Sequence, residues 1–329
     1  MKTIGFFNNK GGVGKTSLVY HVAWMLSALQ ARVIVADLDP QANLTSMFLT
    51  EDRLEEIWSL EERPTVYGAL SSLFRGVGEI RNFLPEMVND RIGLIPGDLE
   101  LSRVEDDLST AWPDCGDGKE RAFRVISSLA RSISQAGQSF SADVALVDVG
   151  PNLGALNRAA LLACSHVIVP VGADLFSLQG LRNMGPTLRT WRAQWGERKG
   201  RNPEPTIQLP DGQMTPAGYI VMRHSVLAGR AAKAYSKWID RMPKQYWKYV
   251  LDEHGKEPIS IDSDANCLAL LKDYRSLMPL AQEARKPMFN LKPADGAFGG
   301  HQAAVQGCWT DFKELTLTIM QRCGVSIFG

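Results

Sequence analysis

The sequence predicts an α/β protein, a mostly parallel sheet flanked by helices on both faces. Strand-like and helix-like segments alternate along the chain, which is the pattern of a layered α/β fold. Runs such as Val144-Ala145-Leu146-Val147 and Val167-Ile168-Val169 are apolar without alternation, as strands covered by helices on both sides must be. A glycine-rich turn joins the first strand to the first helix.

Taken in order, strands are expected at 3–8, 32–39, 91–96, 143–149, 166–171 and 218–223. Between the first two, residues 15–30 carry Leu18, Val19, Val22, Ala23, Leu26 and Leu29 at helical spacing. Further helices are expected at 120–135, 153–164, 178–195, 228–242, 265–283 and 302–322. Residues 114–119 (DCGDGK) and 196–216, rich in Gly, Pro and charge, read as exposed loops. No repeat or low-complexity tail breaks the alternation, so residues 1–329 read as a single domain with these two inserted loops.

Hydrophobic residues make up 45% and charged residues 22%, so the chain is globular rather than disordered. Its 36 basic and 36 acidic residues cancel, and any affinity for nucleic acid or anionic membrane must come from a local patch. The five cysteines (Cys115, Cys164, Cys267, Cys308, Cys323) are scattered without a CxxC pair, which argues against a disulfide framework or a zinc site. They fit a reduced cytosolic protein. The apolar start Ile4-Gly5-Phe6-Phe7 ends at Asn8, too short for a signal core or a membrane span. A cytoplasmic location is expected.

The turn is Asn8-Asn9-Lys10-Gly11-Gly12-Val13-Gly14-Lys15-Thr16, followed by Ser17. Glycines let the backbone fold tightly enough for successive N–H groups and a helix N-terminus to converge on an anion. Residues 11–17 are the expected phosphate cradle, with Lys15 reaching the β- and γ-phosphates and the Thr16 hydroxyl placed to ligate Mg²⁺. A dinucleotide site would need a third glycine where Ser17 stands. The usual P-loop spacing would place a glycine at Asn9, and this chain instead has a second lysine, Lys10. Asp37-Leu38-Asp39-Pro40-Gln41 closes the second strand, with Asp37 and Asp39 on one side of it. Asp148 ends the run 144–147, the arrangement that brings a carboxylate near Mg²⁺.

Lys10-Gly11-Gly12-Val13-Gly14-Lys15-Thr16 resembles the deviant Walker A motif of the ParA/MinD family of ATPases. The resemblance is to ParA-type partition ATPases without an N-terminal helix-turn-helix, for which there is no room ahead of the loop. It implies ATP and Mg²⁺ as ligands, with Thr16, Asp37 and Asp148 around the metal. It also implies a homodimer around ATP in which Lys10 contacts the partner's nucleotide, and Asp39 as the group that orients the attacking water. Asp37 would support the magnesium shell or the loop. The family's D-x-P-P after the Walker B strand becomes Asp148-Val149-Gly150-Pro151, so switch II is expected to be more mobile. The segments 166–181 and 283–291 also resemble the family's. The adenine is expected near the end of the strand at 218–223 and near Pro279.

The family reading implies slow, partner-stimulated ATP hydrolysis that drives partitioning or positioning of DNA or another cargo over nonspecific DNA. An activating ParB-like adaptor and association with the nucleoid follow from it. The alternative is a MinD-like or other adaptor-driven regulatory ATPase with a protein or membrane target. Arg230, Lys233, Lys237 and Arg241 recur at three- and four-residue intervals and are the candidate DNA-binding face. Arg189, Arg192, Arg198, Lys199 and Arg201 form a second candidate patch. A membrane anchor is disfavoured, because the tail from 310 onward has only Lys313 and Arg322 against Asp311 and Glu314, and Phe312, Leu315, Ile319 and Met320 suit a core-packing face. A metabolic or metallochaperone relative would usually carry the cysteine pairs that this chain lacks.

Overall fold

The computed structural model describes residues 1–82, 84–224, 236–255, 259–274 and 276–327. Eight strands form one sheet in the order β3-β4-β2-β5-β1-β6-β7-β8. They are β1 (Lys2–Phe6), β2 (Val33–Leu38), β3 (Glu86–Asn89), β4 (Ile92–Ile95), β5 (Val144–Val149), β6 (His166–Gly172), β7 (Thr215–His224) and β8 (Cys267–Lys272). All pairings are parallel except β3 with β4.

Among the described residues the helices before β7 are α1 (Lys15–Ala28), α2 (Asn43–Phe48), α3 (Glu51–Ser59), α4 (Val66–Phe74), α5 (Glu105–Gly116), α6 (Glu120–Ile126), α7 (Ser128–Phe140), α8 (Ala155–Leu162) and α9 (Leu175–Lys199). The final helix is Gly300–Cys323. Strand alternation divides the core in two. Ile34, Ala36, Ala145 and Val147 pack under α4–α9, while Val33, Val35, Val144 and Leu146 pack under α1 and the final helix. Helices therefore cover both faces, and the central strands are buried throughout. By the same parity Asp37 and Asp148 belong to the α1 side, where the glycine loop opens α1.

Several expectations are corrected. The helix at 265–283 is instead β8 followed by a short helix, Met278–Ala284. Its apolar run Cys267-Leu-Ala-Leu-Leu fits a strand beside β7 as well as a helix, and pairing decides. The helix at 120–135 is two, α6 and α7, broken at Ser127. Helix α5 extends to Gly116 and α9 to Lys199, so the exposed connections are shorter than 114–119 and 196–216. Phe312, Leu315, Ile319 and Met320 are buried against the core that α1 shares, which occupies the apolar face of the final helix. No helix of the described residues is long and apolar enough to cross a membrane.

Candidate active site

The site lies at the C-terminal edge of β1, β2 and β5, where open parallel sheets gather ligands. Asn8, buried after β1, starts the loop. Its Nδ2 donates to the Pro170 carbonyl at 2.6 Å, and its Oδ1 accepts from the Lys10 N–H at 2.9 Å. Gly12 and Gly14 have φ of 73° and 89°, which L side chains adopt only with strain. Gly14 caps α1, and its carbonyl accepts from the Leu18 N–H. Gly11 and Val13 complete the turn, Val13 buried and Gly11 exposed.

Lys15 and Thr16, the first residues of α1, converge on Asp148. Lys15 Nζ lies 3.0 Å from Asp148 Oδ1, and the Thr16 hydroxyl donates to Asp148 Oδ2 at 2.7 Å. Burial raises the Asp148 pKa, and the Lys15 ammonium and Thr16 hydroxyl oppose that rise. Asp37 stands beside Asp148 in register on β2 and β5. Burial, then the Asp148 charge, pushes its pKa up to about 7. Asp37 Oδ2 accepts from both the N–H and the hydroxyl of Thr45, at 2.8 and 2.7 Å. Thr45 Oγ1 accepts in turn from the Gly97 N–H at 2.8 Å. Through Thr45, Asp37 ties α2 and the turn after β4 to the site. Asp39, almost buried, accepts from the Gln41 N–H and borders Gly150 of switch II.

The charges of Asp148 and Asp39 raise the Asp37 pKa, and that of Asp39 raises the Asp148 pKa, with one buried ammonium among them, so the donor set suits a divalent cation. Among the described residues no three His, Cys, Asp or Glu side chains form a closed metal site. Magnesium fits here only with nucleotide and water oxygens completing its shell, as that ion prefers.

The second lysine closes on its own chain. Lys10 Nζ lies 2.5 Å from Asp174 Oδ2 and 5.9 Å from the centre of the exposed Phe176 ring. Burial raises the Asp174 pKa, but the Lys10 ammonium and Ser177 N–H outweigh it and the net shift is downward. Sequence reasoning missed this partner, although Asp174 three residues before Ser177 is an N-cap pattern, and its Oδ1 does accept from the Ser177 N–H.

Also missed was a link behind the loop. His21 Nε2 accepts from the Met288 N–H at 3.1 Å, which leaves Nδ1–H to donate to the Ser17 carbonyl at 2.7 Å. Burial lowers the His21 pKa to about 4, so the ring stays neutral between the loop helix and the 288–290 segment. Of the expected adenine neighbours, Met222 on β7 reaches Gly14, and Pro279 sits in the helix Met278–Ala284.

The basic patches fare differently. Arg230 and Lys233 lie outside the described residues. Lys237 and Arg241 both lie over the Trp238 ring, at 5.1 and 5.5 Å from its centre. The second patch is engaged internally. Arg189 binds the Tyr249 carbonyl, Arg192 those of Gln213 and Met214, Arg198 that of Trp112, and Arg201 that of Gly116. Lys199 donates to the Asp211 carbonyl. These cations bind backbone carbonyls of neighbouring segments and do not form a free face.

The family model described as an AAA domain matches residues 1–198. A replication protein A of Rhizobium rhizogenes is 30% identical over 181 residues, covering 55% of this chain and 42% of that protein. The chromosome partitioning protein ParA of Caulobacter vibrioides is 27% identical over 199 residues, covering 60% of this chain and 66% of that one. The match thus spans between about two fifths and two thirds of these relatives' length. A solved plasmid partition protein from Borrelia burgdorferi, bound to AMPPNP, has the same fold at a TM-score of 0.60 and 17% identity, covering 96% of this chain and 98% of that one.

Proposed function

Because this chain belongs to the AAA-domain family of ParA/MinD-type deviant Walker A ATPases, we propose that it is a ParA-like switch that dimerises around ATP, hydrolyses it slowly, and positions DNA or another cargo over nonspecific DNA. One observation carries the reading. Lys15 and Thr16 converge on the buried Asp148 at the mouth of a loop in which Gly12 and Gly14 hold positive φ.

Residues 11–17 would receive the triphosphate on backbone N–H groups, with Lys15 turning from Asp148 to the β- and γ-phosphates. Thr16 and Asp148 would hold magnesium, directly or through water, and the ion neutralises charge on the phosphates when bound. Asp39 orients the attacking water. Lys10, released from Asp174, adds a cation in the partner's site as an arginine finger does. The chain acts as a single ATPase domain whose connections before α6 and after α9 are insertions. An activating adaptor, a cytoplasmic location and contact with the nucleoid belong to the same reading, with Arg230, Lys233, Lys237 and Arg241 as the residues that would bind DNA.

The test is DNA binding at low salt with ATP, with ADP and with Lys15→Ala. A shift that requires ATP and is lost in the variant is expected; ATP-independent binding, or none, refutes the DNA track. Asp39→Ala is expected to keep ATP affinity and hold an ATP dimer in light scattering. Normal turnover by this variant would remove Asp39 from the water-orienting role.

A further inference from the structure

Switch II hangs on one amide. Asn157, in the first turn of α8, is 1% exposed and faces the turn that follows Asp148. Its Nδ2 lies 2.7 Å from the Gly150 carbonyl, 2.8 Å from the Asn152 carbonyl and 3.0 Å from Asn152 Oδ1. Three acceptors crowd two hydrogens, so the orientation of the amide is fixed by its surroundings. Its other end is the reverse case, since Oδ1 is buried with no hydrogen-bond donor. An acceptor left in that condition is costly and calls for a donor.

Two further features give this acceptor a direction. Glu105 holds α8 in place, its carboxylate accepting from the N–H groups of Ala155 at 2.6 Å and Leu156 at 2.8 Å. Asn157 is therefore mounted on a fixed post. Gly150 leaves open the place where a side chain would start. A β-carbon there would lie 3.5 Å from Asp39 Oδ1 and, on the other side, 3.5 Å from Nδ2 and 3.6 Å from Oδ1 of Asn157. The bare glycine thus sits between the carboxylate already assigned to the attacking water and the unpartnered amide oxygen.

We propose that Asn157 Oδ1 is the second acceptor for the attacking water, paired with Asp39 across Gly150. A water that donates one hydrogen to each of two acceptors keeps a lone pair for the γ-phosphorus. Its oxygen bonds to phosphorus as the bond to the β–γ bridging oxygen breaks and that oxygen leaves with the electron pair. The water's proton departs through Asp39 to the released phosphate; the amide takes none. Switch II admits the water by moving at Gly150, because Pro151 and Asn152 after it are exposed.

The inference rests on the hydrolysis site proposed above, and the test separates the two. The full chain is assayed for ATP turnover and, with a fluorescent ATP analogue, for nucleotide affinity. Asn157→Ala is expected to lower kcat at least about tenfold with affinity within about threefold. Asn157→Asp, which keeps an acceptor, is expected to retain more turnover than Asn157→Ala, and turnover no higher than that of Asn157→Ala counts against the acceptor role. Gly150→Ala guards against a folding artefact. Its methyl group makes ordinary contacts, so the melting temperature stays put while kcat falls, because the methyl takes the place between the acceptors. Normal kcat in both Asn157→Ala and Gly150→Ala, with Asp39→Ala inactive, overturns this inference alone. Normal kcat in Asp39→Ala as well, or no turnover by the wild type, overturns the hydrolysis site and this inference with it.

Discussion

Asp148 and Asp264 are both buried, at 1% and 4% exposure, yet their surroundings are opposite. Asp264 lies beneath β7 and β8 and is fully engaged by neutral donors. Tyr219 donates its hydroxyl at 2.8 Å, Trp247 its indole N–H at 3.2 Å, and Asn266 its backbone N–H at 3.0 Å. These donors are held by packing, with Tyr219 and Tyr246 rings 5.0 Å apart. Asp148 depends instead on a lysine and a threonine of a glycine loop, and its Oδ1 has only the Lys15 ammonium. Packing cannot be displaced by a ligand, whereas the partners of Asp148 can be drawn away by phosphate. A buried carboxylate reads as architecture or as chemistry according to who holds its partners.

The contrast is sharpest when partners are removed. Lys15→Ala is expected to lower ATP hydrolysis by about three orders of magnitude, since phosphate contact and the Asp148 counter-ion go together. A steady-state assay reads this, and activity near wild type would break the comparison at its functional end. Asp264→Ala is expected to do the opposite. It takes their acceptor from the Tyr219 hydroxyl and the Asn266 N–H, costing about 2–4 kcal/mol in urea unfolding, while turnover per folded molecule stays within about twofold. Unchanged stability would show that Asp264 is not structural.

A smaller effect tests the crowding of carboxylates. Asp37, ordinarily near 3.8, is pushed to about 7 by burial and by Asp148. With its folded pKa above its unfolded one, the stability it contributes is full below about pH 4 and is lost as pH rises through 7. Asp37→Asn should remove that loss, leaving the ligand-free variant on the order of 2 kcal/mol more stable than wild type at pH 8 and no more stable at pH 4. Melting curves without nucleotide or magnesium decide it; a constant offset across pH would refute the assignment. Smallest is Arg192→Ala, which frees the Gln213 and Met214 carbonyls. About 1 kcal/mol of stability should be lost with DNA affinity unchanged, and a fall in affinity measured by anisotropy would return Arg192 to the binding face.

That the glycine loop, Asp39 and Asp148 gather at one edge of the sheet was legible, because each is encoded by neighbours in sequence, a glycine spacing or a strand ending in Asp. The parallel core was legible because burial on both faces leaves unbroken apolar runs. The rest depends on distance along the chain. Thr45, Asp174, Glu105 and Asn157 matter through partners that no local pattern announces. The arginines from 189 to 201 show why a count of cations misleads, since each is engaged by a backbone carbonyl of a segment distant in sequence. β8 was misread because a short apolar run is ambiguous until a neighbouring strand pairs with it.

The register of β2 against β5 sets Asp37 opposite Asp148 with no slack. Deleting one residue inside either strand would slide its carboxylate by about 3.3 Å and turn it toward the α4–α9 layer. Added or lost residues are thus absorbed where the chain runs between strands, and barred within these two. Among descendants of this sequence, length variation should gather in the connections and spare both strands.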